Sequence, residues 1–489
     1  MTDARDKKPE PRPPSLVESA VPILTLIGLL ALAFYLFGSG AAAGPNQIAL
    51  TIASLVAAFF GWRCNWPLEA MREAAVGSVN SGLSAIFILF AVGALIGTWA
   101  LSGTLMAMVY YGLTILNPNY FYLTCCIICA VVALSIGSSW TVAGTIGIGL
   151  MGISNEMALN PAITAGAVIS GAYFGDKSSP LSDTTNLACA ASGANLYEHI
   201  REALWTSAPS LVLTLIIFYS LGERGDFDAT PVIESLGGSY RISLVQFLPL
   251  LVVLALAMLR WPPFTTIFLG ALAGGLLAVL YDPARVAAFA ADPQQPFVLQ
   301  LVKGVWQALA SGYLSETGNA AVDKLLTRGG MESMLSTIWL IIAALGFGGI
   351  VEKAGILDRL LSPLIAAAKS TGALIAALAT AAIGANILAS DQYIAIVLPG
   401  RMFRQAFVDR KLAPVVLSRA VGDTATVTSP LIPWNSCGAF MAATLGVATM
   451  AYLPFCFFNL LNPLITVVFG MTGLRMIKDG PPQPSSGWR

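Results

Sequence analysis

Two polar segments that share short motifs interrupt an otherwise apolar chain, and they supply the residues that could do chemistry. Residues 170–196 read SGAYFGDKSSPLSDTTNLACAASGANL, and residues 418–440 read SRAVGDTATVTSPLIPWNSCGAF. A charged side chain at the centre of a bilayer costs at least a few kcal/mol, so carboxylates there face a protein interior or a water-filled cavity. The sequence therefore predicts an ion or substrate site formed by interrupted helices.

The residue types in these segments favour a hard cation. Carboxylate, hydroxyl and amide oxygens bind hard cations, and broken transmembrane helices add free carbonyls. The candidate cation ligands are Asp176, Asp183, Thr184, Asn186, Asp391, Asp423, Thr428 and Asn435, together with Ser138 and Ser139. With a single histidine in the chain, a soft-metal site is not expected, and no cofactor is predicted beyond transported sodium and protons.

The same carboxylates also suit protons. Desolvation and a neighbouring like charge both favour the protonated form of a buried aspartate, so one group can hold a proton or a sodium ion. Such competition is the simplest form of antiport. Lys177, next to Asp176, is expected either to form a structural ion pair or to be released when a cation binds, and His199 is expected at a solvated helix end.

Composition sets the class of protein. Of 489 residues, 56% are hydrophobic and 11% are charged, against about 25% charged in soluble domains. This predicts an all-α polytopic membrane protein with 11 to 13 membrane segments, including hairpins and broken helices. Zero formal net charge gives no reason to expect nucleic acid. By the positive-inside rule, arginine and lysine in the first 12 residues predict a cytoplasmic N-terminus. The expected location of the protein is the plasma membrane.

The two halves of the chain resemble each other. Gly175-Asp176 and Gly422-Asp423 are 247 residues apart, and each pair is followed by Ser-Pro-Leu and an asparagine. Upstream, Gly103 can be aligned with Gly355. Paired interrupted segments in two halves are typical of secondary transporters with inverted repeats and a site near the membrane midplane.

These patterns predict the organisation of the chain. Its parts are a disordered cytoplasmic tail (1–19), a first half (20–222), a loop (223–242), a second half (243–470) and a C-terminal tail (471–489). In each half we expect a re-entrant hairpin, at about 131–152 and 380–400, and a broken helix, at about 161–190 and 412–440.

With these motifs, and with GNAAVDKLLTRGGMESM and SDQYIAIVLPGRMF, the chain resembles the NhaC-type sodium/proton antiporter family over most of residues 75–470. The resemblance implies exchange of sodium for protons. It makes residues of the two polar segments candidate site residues: Asp176, Asp183, Thr184, Asn186, Asp423, Thr428 and Asn435. Ser178 and Ala425 depart from the family pattern, which puts the choice of substrate in doubt.

Two other functions stay open at this point. One is a sodium- or proton-coupled exchanger of a small organic acid, malate/lactate-like, or of an amino acid, with a carboxylate held at a helix N-terminus. The other is an intramembrane aspartyl protease using Asp176 and Asp423, which the missing first glycine of a Gly-x-Gly-Asp setting disfavours. The prediction is a transporter and not an enzyme, with the lipid bilayer, sodium and protons as partners and a homodimer allowed.

Overall fold

The described residues of the computed structural model, 10–222, 242–316, 323 and 326–478, are almost entirely helical, and they contain no β-strand beyond two isolated bridges. The first part of the chain forms helices α1 (Leu16–Phe37), α2 (Pro45–Arg63), α3 (Leu68–Ser81), α4 (Leu83–Leu101), α5 (Thr104–Ile115), α6 (Phe121–Ile136), α7 (Ser139–Val142), α8 (Ile148–Glu156), α9 (Pro161–Ser178), α10 (Asp183–Ser192) and α11 (Leu196–Ser220). One π-helical turn, Ala143–Gly147, joins α7 to α8.

The second part follows with α12 (Leu248–Met258), α13 (Pro263–Tyr281), α14 (Pro283–Ala290), α15 (Phe297–Ala310), α16 (Leu335–Lys353), α17 (Ile356–Ala367), α18 (Thr371–Leu388), α19 (Gln392–Asp409), α20 (Pro414–Val421), α21 (Ser436–Leu445), α22 (Thr449–Tyr452) and α23 (Phe457–Thr472). A π-helical turn, Gly422–Thr426, continues α20.

Eight of the described helices are long and apolar enough to cross a membrane, and a ninth span is formed if the bent pair Ser436–Leu445 and Thr449–Phe455 is counted. The chain is therefore an all-α, multi-pass membrane protein, as its composition predicts. The 18-residue helices α9 and α19 and several shorter apolar helices come in addition, so the number of 11 to 13 segments stays a prediction.

The interruptions fall where the sequence places polar side chains that can cap a helix. Ser138, Ser182, Asp391 and Asn435 are N-caps, and each accepts a hydrogen bond from a backbone N–H in the first turn. These caps accept hydrogen bonds from backbone N–H groups that would have no partner in the hydrocarbon of the bilayer. The breaks lie at 137–138, 179–182, 389–391 and 432–435, within the segments predicted as hairpins and broken helices. That the hairpins are re-entrant stays a prediction.

The order of elements repeats, but in a register different from the one that the Gly-Asp motif suggests. Ser138 and Asp391 cap equivalent helices and lie 253 residues apart, as do the caps Ser182 and Asn435. The offset of 247 is therefore wrong, and Asp423 is not the structural counterpart of Asp176. Caps and breaks are fixed by backbone geometry, so they define the structural register better than the short motif does.

The upstream match is confirmed, because Gly103 and Gly355 both precede a helix with left-handed φ angles of 78° and 71°. The repeated series occupies 83–220 and 335–472. That the two series are inverted relative to each other stays a prediction. In space the halves interlock, since α10 packs against α19 and α20, and α11 packs against α23.

The two ends of the chain are more ordered than the sequence suggests. Helix α1 begins at Leu16, inside the predicted tail of residues 1–19, because Ser15 and Glu18 form a capping box and Arg12 pairs with Glu18. At the other end Leu412 forms an isolated bridge with Lys478. The remainder of both tails, 1–9 and 479–489, and residues 223–241 of the loop predicted at 223–242 lie outside the described residues.

Candidate functional site

Three carboxylates from two helix breaks meet in one cavity, which residues of the other two breaks also line. Asp176 ends α9, Asp183 begins α10 and Asp391 caps α19, and all three line a cavity of about 190 Å³. Within the described part of the chain, no lysine, arginine or histidine lines this cavity. The arrangement concentrates negative charge at a place where four helix breaks meet, so it attracts small cations.

Asp176 is buried, and its two oxygens differ. Oδ2 accepts hydrogen bonds from the Ser139 hydroxyl at 2.6 Å and from the Ser139 backbone N–H at 3.2 Å. Oδ1 is also buried, but no described group donates a hydrogen bond to it. A buried carboxylate oxygen without a donor is unfavourable unless a proton or a cation occupies it. Asp176 therefore has one oxygen held in place and one free to bind a ligand.

Asp183 is more exposed than Asp176 and connects the two halves of the molecule. Its Oδ1 accepts from the backbone N–H of Thr184 at 2.8 Å, and its Oδ2 accepts from the hydroxyl of Tyr393 at 2.5 Å. Thr184 also lines the cavity, and its hydroxyl lies 2.9 Å from that of Ser182. Tyr393 belongs to the second half, so this hydrogen bond joins the halves at the cavity wall.

The equivalent hairpin breaks supply the remaining polar wall. Ser138 and Ser139 come from the first break, and Asp391 from the second, where its Oδ1 accepts from the backbone N–H of Ile394 at 3.0 Å. Left-handed backbone at Gly137 (φ 78°) and Ser390 (φ 58°) turns the chain just before each cap. The cavity thus brings together six predicted site residues: Asp176, Asp183, Thr184, Asp391, Ser138 and Ser139.

Asp423 does not line this cavity but lies in a separate buried cluster. It pairs with Lys177, and both side chains are almost completely buried. Lys177 also donates to Ser207 at 2.6 Å and to Asn462 at 3.1 Å, while Asp423 accepts from Asn462 and Thr466. The partner of Lys177 is therefore the aspartate of the other half and not the neighbouring Asp176.

The other predicted ligands also lie outside the cavity. Asn386 donates to the hydroxyl of Thr428 at 3.1 Å and accepts from Asn435 at 3.2 Å, so these residues brace the second broken helix against α18. Asn186 is exposed, and its amide donates to the carbonyl of Ser182 at 2.7 Å within α10.

His199 is the clearest error of the sequence-based prediction. It was expected at a solvated helix end, but its side chain is fully buried and its Nδ1 lies 2.5 Å from the Ser418 hydroxyl. The neighbouring Glu202 is also buried and pairs with Arg475. His199 and Glu202 face the second half, where α11 packs against α20 and α23, whereas Glu198 and Arg201 on the same turns are exposed.

Several residues of these sites were not predicted. Tyr393 stands beside Asp391 in the sequence, but only the packing of α10 against α19 brings it to Asp183. Asn459, Asn462 and Thr466 repeat at helical spacing along the otherwise apolar α23. That spacing was a usable signal, because amides are rare in membrane helices and mark a polar face.

The donor set fits a small hard cation held by few carboxylates. Among the described residues, no three histidine, cysteine, aspartate or glutamate side chains gather around one metal position. Ligands for a cation would therefore combine one or two carboxylates with hydroxyl and carbonyl oxygens, which are hard ligands. Half-helix ends at the breaks also present backbone groups to the cavity.

Interrupted helices around a buried carboxylate cavity, in a chain whose element order repeats, define the architecture of a secondary transporter. Comparison with known proteins gives the particular group. The chain belongs to the Na⁺/H⁺ antiporter family, whose model matches residues 171–474.

Among its relatives, Na(+)/H(+) antiporter NhaC of Alkalihalophilus pseudofirmus is 39% identical, with 88% of this chain and 91% of the relative covered. Arginine/ornithine antiporter ArcD of Halobacterium salinarum is 34% identical over 97% of this chain and 96% of that protein. Malate-2H(+)/Na(+)-lactate antiporter of Bacillus subtilis is 33% identical over 88% and 90%.

Proposed function

We propose that the protein exchanges sodium ions for protons across the plasma membrane, with both ions competing for the carboxylates of the 190 Å³ cavity. The observation that carries the proposal is the buried Oδ1 of Asp176, which lies in a cavity lined by two more aspartates and has no hydrogen-bond donor. Membership of the Na⁺/H⁺ antiporter family supports it.

The chemistry follows from charge. When Asp176 is ionised, its free oxygen and the oxygens of Ser138, Ser139 and Asp183 attract a dehydrated sodium ion. When the carboxyl is protonated, the added hydrogen replaces the cation and neutralises the group. Because the two states exclude each other, each time the site changes the side of the membrane to which it opens, it carries either sodium or protons. The sodium gradient and the proton gradient become coupled in this way.

Transport in everted vesicles tests this proposal. Addition of sodium should collapse a preformed pH gradient, and Asp176→Asn should reduce that rate about 100-fold or more, because the amide neither ionises nor carries a proton. The matched control is Asp292→Asn, which removes a partly exposed partner of Lys303 and should leave exchange unchanged. Full exchange by folded Asp176→Asn protein would refute the proposal.

The orientation of the protein in the membrane follows from the positive charge of its first residues, which puts the N-terminus in the cytoplasm. The bilayer surrounds the eight long apolar helices. A homodimer is allowed by this arrangement. No peptide hydrolysis is proposed, because Asp176 and Asp423 make no hydrogen bond to each other and Asp423 is occupied by Lys177. The protein acts as a transporter and not as an enzyme.

A second candidate function is exchange of a small organic carboxylate coupled to sodium or protons. Arg328 lines a separate cavity of about 890 Å³ and is the sole charged residue among its described lining residues. Burial lowers the pKa of Arg328, but arginine stays protonated in proteins. Malate, lactate, arginine and ornithine, the solutes in the names of two relatives, all contain a carboxylate that a guanidinium can bind.

Counterflow distinguishes the two functions. Proteoliposomes loaded with each of these four solutes should accumulate the labelled solute if the second function holds, and Arg328→Gln should abolish that accumulation. Sodium-driven collapse of the pH gradient without any organic solute favours the first function. Asn155→Ala, at another lining position of the same cavity, is the control for general loss of cavity structure.

A further inference from the structure

Two groups of cavities lie toward opposite ends of the same helices. The carboxylate cavity is adjacent to one of about 660 Å³, since Ser81 lines both. The cavity of about 890 Å³ is adjacent to one of about 360 Å³, since Ser336 and Gly446 line both. The molecule therefore has two openings, one leading to the carboxylates and one without any aspartate or glutamate among its described lining residues.

Three separate segments run from one opening to the other. In α4, Ser84 lines the carboxylate cavity and Ile96 lines the 890 Å³ cavity. Along residues 139–156 and along α21 the lining residues change in the same order, from one cavity to the other. α4 is long and apolar enough to cross the membrane; Ser84 is its second residue, and Ile96 lies twelve positions, about 18 Å, further along it.

The distance between the two cavities is short. On α4 the nearest lining residues are Ile88 and Ile96, eight positions apart, which corresponds to about 12 Å of helix. A cation that has reached Asp176 therefore has only a thin layer of protein between it and the opposite opening.

That layer is apolar and closely packed. The Trp140 and Phe440 rings stack with centroids 4.1 Å apart, and Phe440 and Val92 are fully buried. A Cβ atom added to Gly144 would lie 3.0 Å from a methyl of Val92 and 3.9 Å from the Phe440 ring. These side chains are in contact with one another, so an ion that crosses the layer at this point must separate them.

The backbone at the layer is irregular. Gly144 lies in the π-helical turn Ala143–Gly147, and Trp140 lies in the short α7 just after the break at Gly137. Single π-helical turns inside helices occur frequently at functional sites, because their hydrogen bonds are easily rearranged. A segment between a break and a π turn can move without unfolding a full helix.

We propose that the 890 Å³ cavity is the second access vestibule for the transported ions, and that Val92, Gly144 and Phe440, with Trp140 stacked on Phe440, form the closed gate between it and the carboxylate cavity. The inference rests on the proposed exchange function for the identity of the ions. Its geometry, two openings separated by one apolar layer, does not depend on which solute is carried.

Thiol labelling from each side of the membrane tests the vestibules without any transport assay. The background is Cys437→Ser, which removes the one native cysteine that lines the carboxylate cavity. Ser84→Cys and Ala448→Cys then each add one thiol, in the carboxylate cavity and in the 890 Å³ cavity, to a background whose six remaining cysteines are all buried. A charged, impermeant maleimide should label them faster from opposite faces in right-side-out and everted vesicles. Faster labelling of both from the same face, or equal rates from both faces, would overturn the proposal.

Sodium flux tests the gate. Phe440→Ala should raise sodium leak down its gradient, in the absence of a pH gradient, by about tenfold or more, because the barrier layer becomes incomplete. Phe218→Ala is the control, since Phe218 is equally buried but contacts Phe457 away from the layer. If Phe440→Ala fails to fold, Phe440→Leu replaces it, with a smaller expected leak. Sodium leak no greater than that of the parent, in either folded variant, would refute the gate, whereas failure of wild-type exchange alone would refute only the proposed function.

Discussion

At the scale of single residues, the hydroxyl of Ser139 sets the balance between proton and sodium at Asp176. It donates the one side-chain hydrogen bond that Asp176 Oδ2 accepts, at 2.6 Å. Hydrogen bonds to a charged group contribute about 1.5–3 kcal/mol, and they favour the ionised carboxylate. Ser139→Ala should therefore make the proton harder to displace and move half-maximal sodium exchange to higher pH by about one unit.

The pH profile of exchange in everted vesicles measures this shift. Ser135→Ala is the matched control, because that hydroxyl bonds only the Val131 carbonyl of its own helix. An unchanged profile for Ser139→Ala, or a shift to lower pH, would show that Asp176 is not the group for which the two ions compete.

The pair of Lys177 and Asp423 has a different role at the same scale. Both are buried, and each also bonds Asn462, so neither charge is left without partners. Removing one member of a buried ion pair destabilises a protein by about 3–5 kcal/mol, because the other charge stays buried. Lys177→Met should lower the thermal midpoint in detergent, and Lys177→Met with Asp423→Asn should recover most of the loss. If the single variant is as stable as the parent, Asp423 is protonated and the pair is not ionic.

At the scale of elements, the helix breaks depend on backbone conformation that few residues adopt. Gly137 has φ 78°, and a Cβ atom there would lie 2.7–2.9 Å from Leu181 and Ser182, at the start of α10. Gly446 has a similar φ of 70°, but no atom lies within 4 Å of the corresponding Cβ position. Gly137→Ala should therefore displace the start of α10 and reduce exchange at least about tenfold, whereas Gly446→Ala carries only a conformational cost of about 1–2 kcal/mol.

Exchange rates of the two variants, each normalised to the amount of folded protein, measure the difference. Equal rates would mean that the contact between the first hairpin break and the break before α10 is not needed for the cycle.

The sequence alone predicts where the helices break, but not which breaks meet to form the site. Proline, glycine and capping residues locate the four breaks, because a break needs specific residue types at specific positions. The sequence could not show which breaks meet in space, since that depends on helix packing between residues more than 200 positions apart. Asp391 was therefore predicted with less support than Asp423, although only Asp391 joins Asp176 and Asp183 in the cavity.

At the scale of the whole molecule, the two halves contribute unequally to the residues that line the carboxylate cavity. The first half supplies Asp176, Asp183 and the serines of the first break, and the second half supplies Asp391 and Tyr393. In the second half the position equivalent to Asp176 is Ser429, which donates to Gln392. A duplicated fold thus holds an asymmetric site, in which two of the three aspartates come from the first half.

Binding of sodium at such a site must stabilise the folded protein as a whole. A ligand that binds only the folded state adds about 2.7 kcal/mol when its concentration is 100 times its dissociation constant. Sodium chloride should therefore raise the thermal midpoint of the purified protein by a few degrees relative to potassium chloride at equal ionic strength. Asp176→Asn should remove the difference. Because protons occupy the same oxygens, the sodium effect should shrink as the pH falls, and an effect that grows at low pH would contradict competition between the two ions.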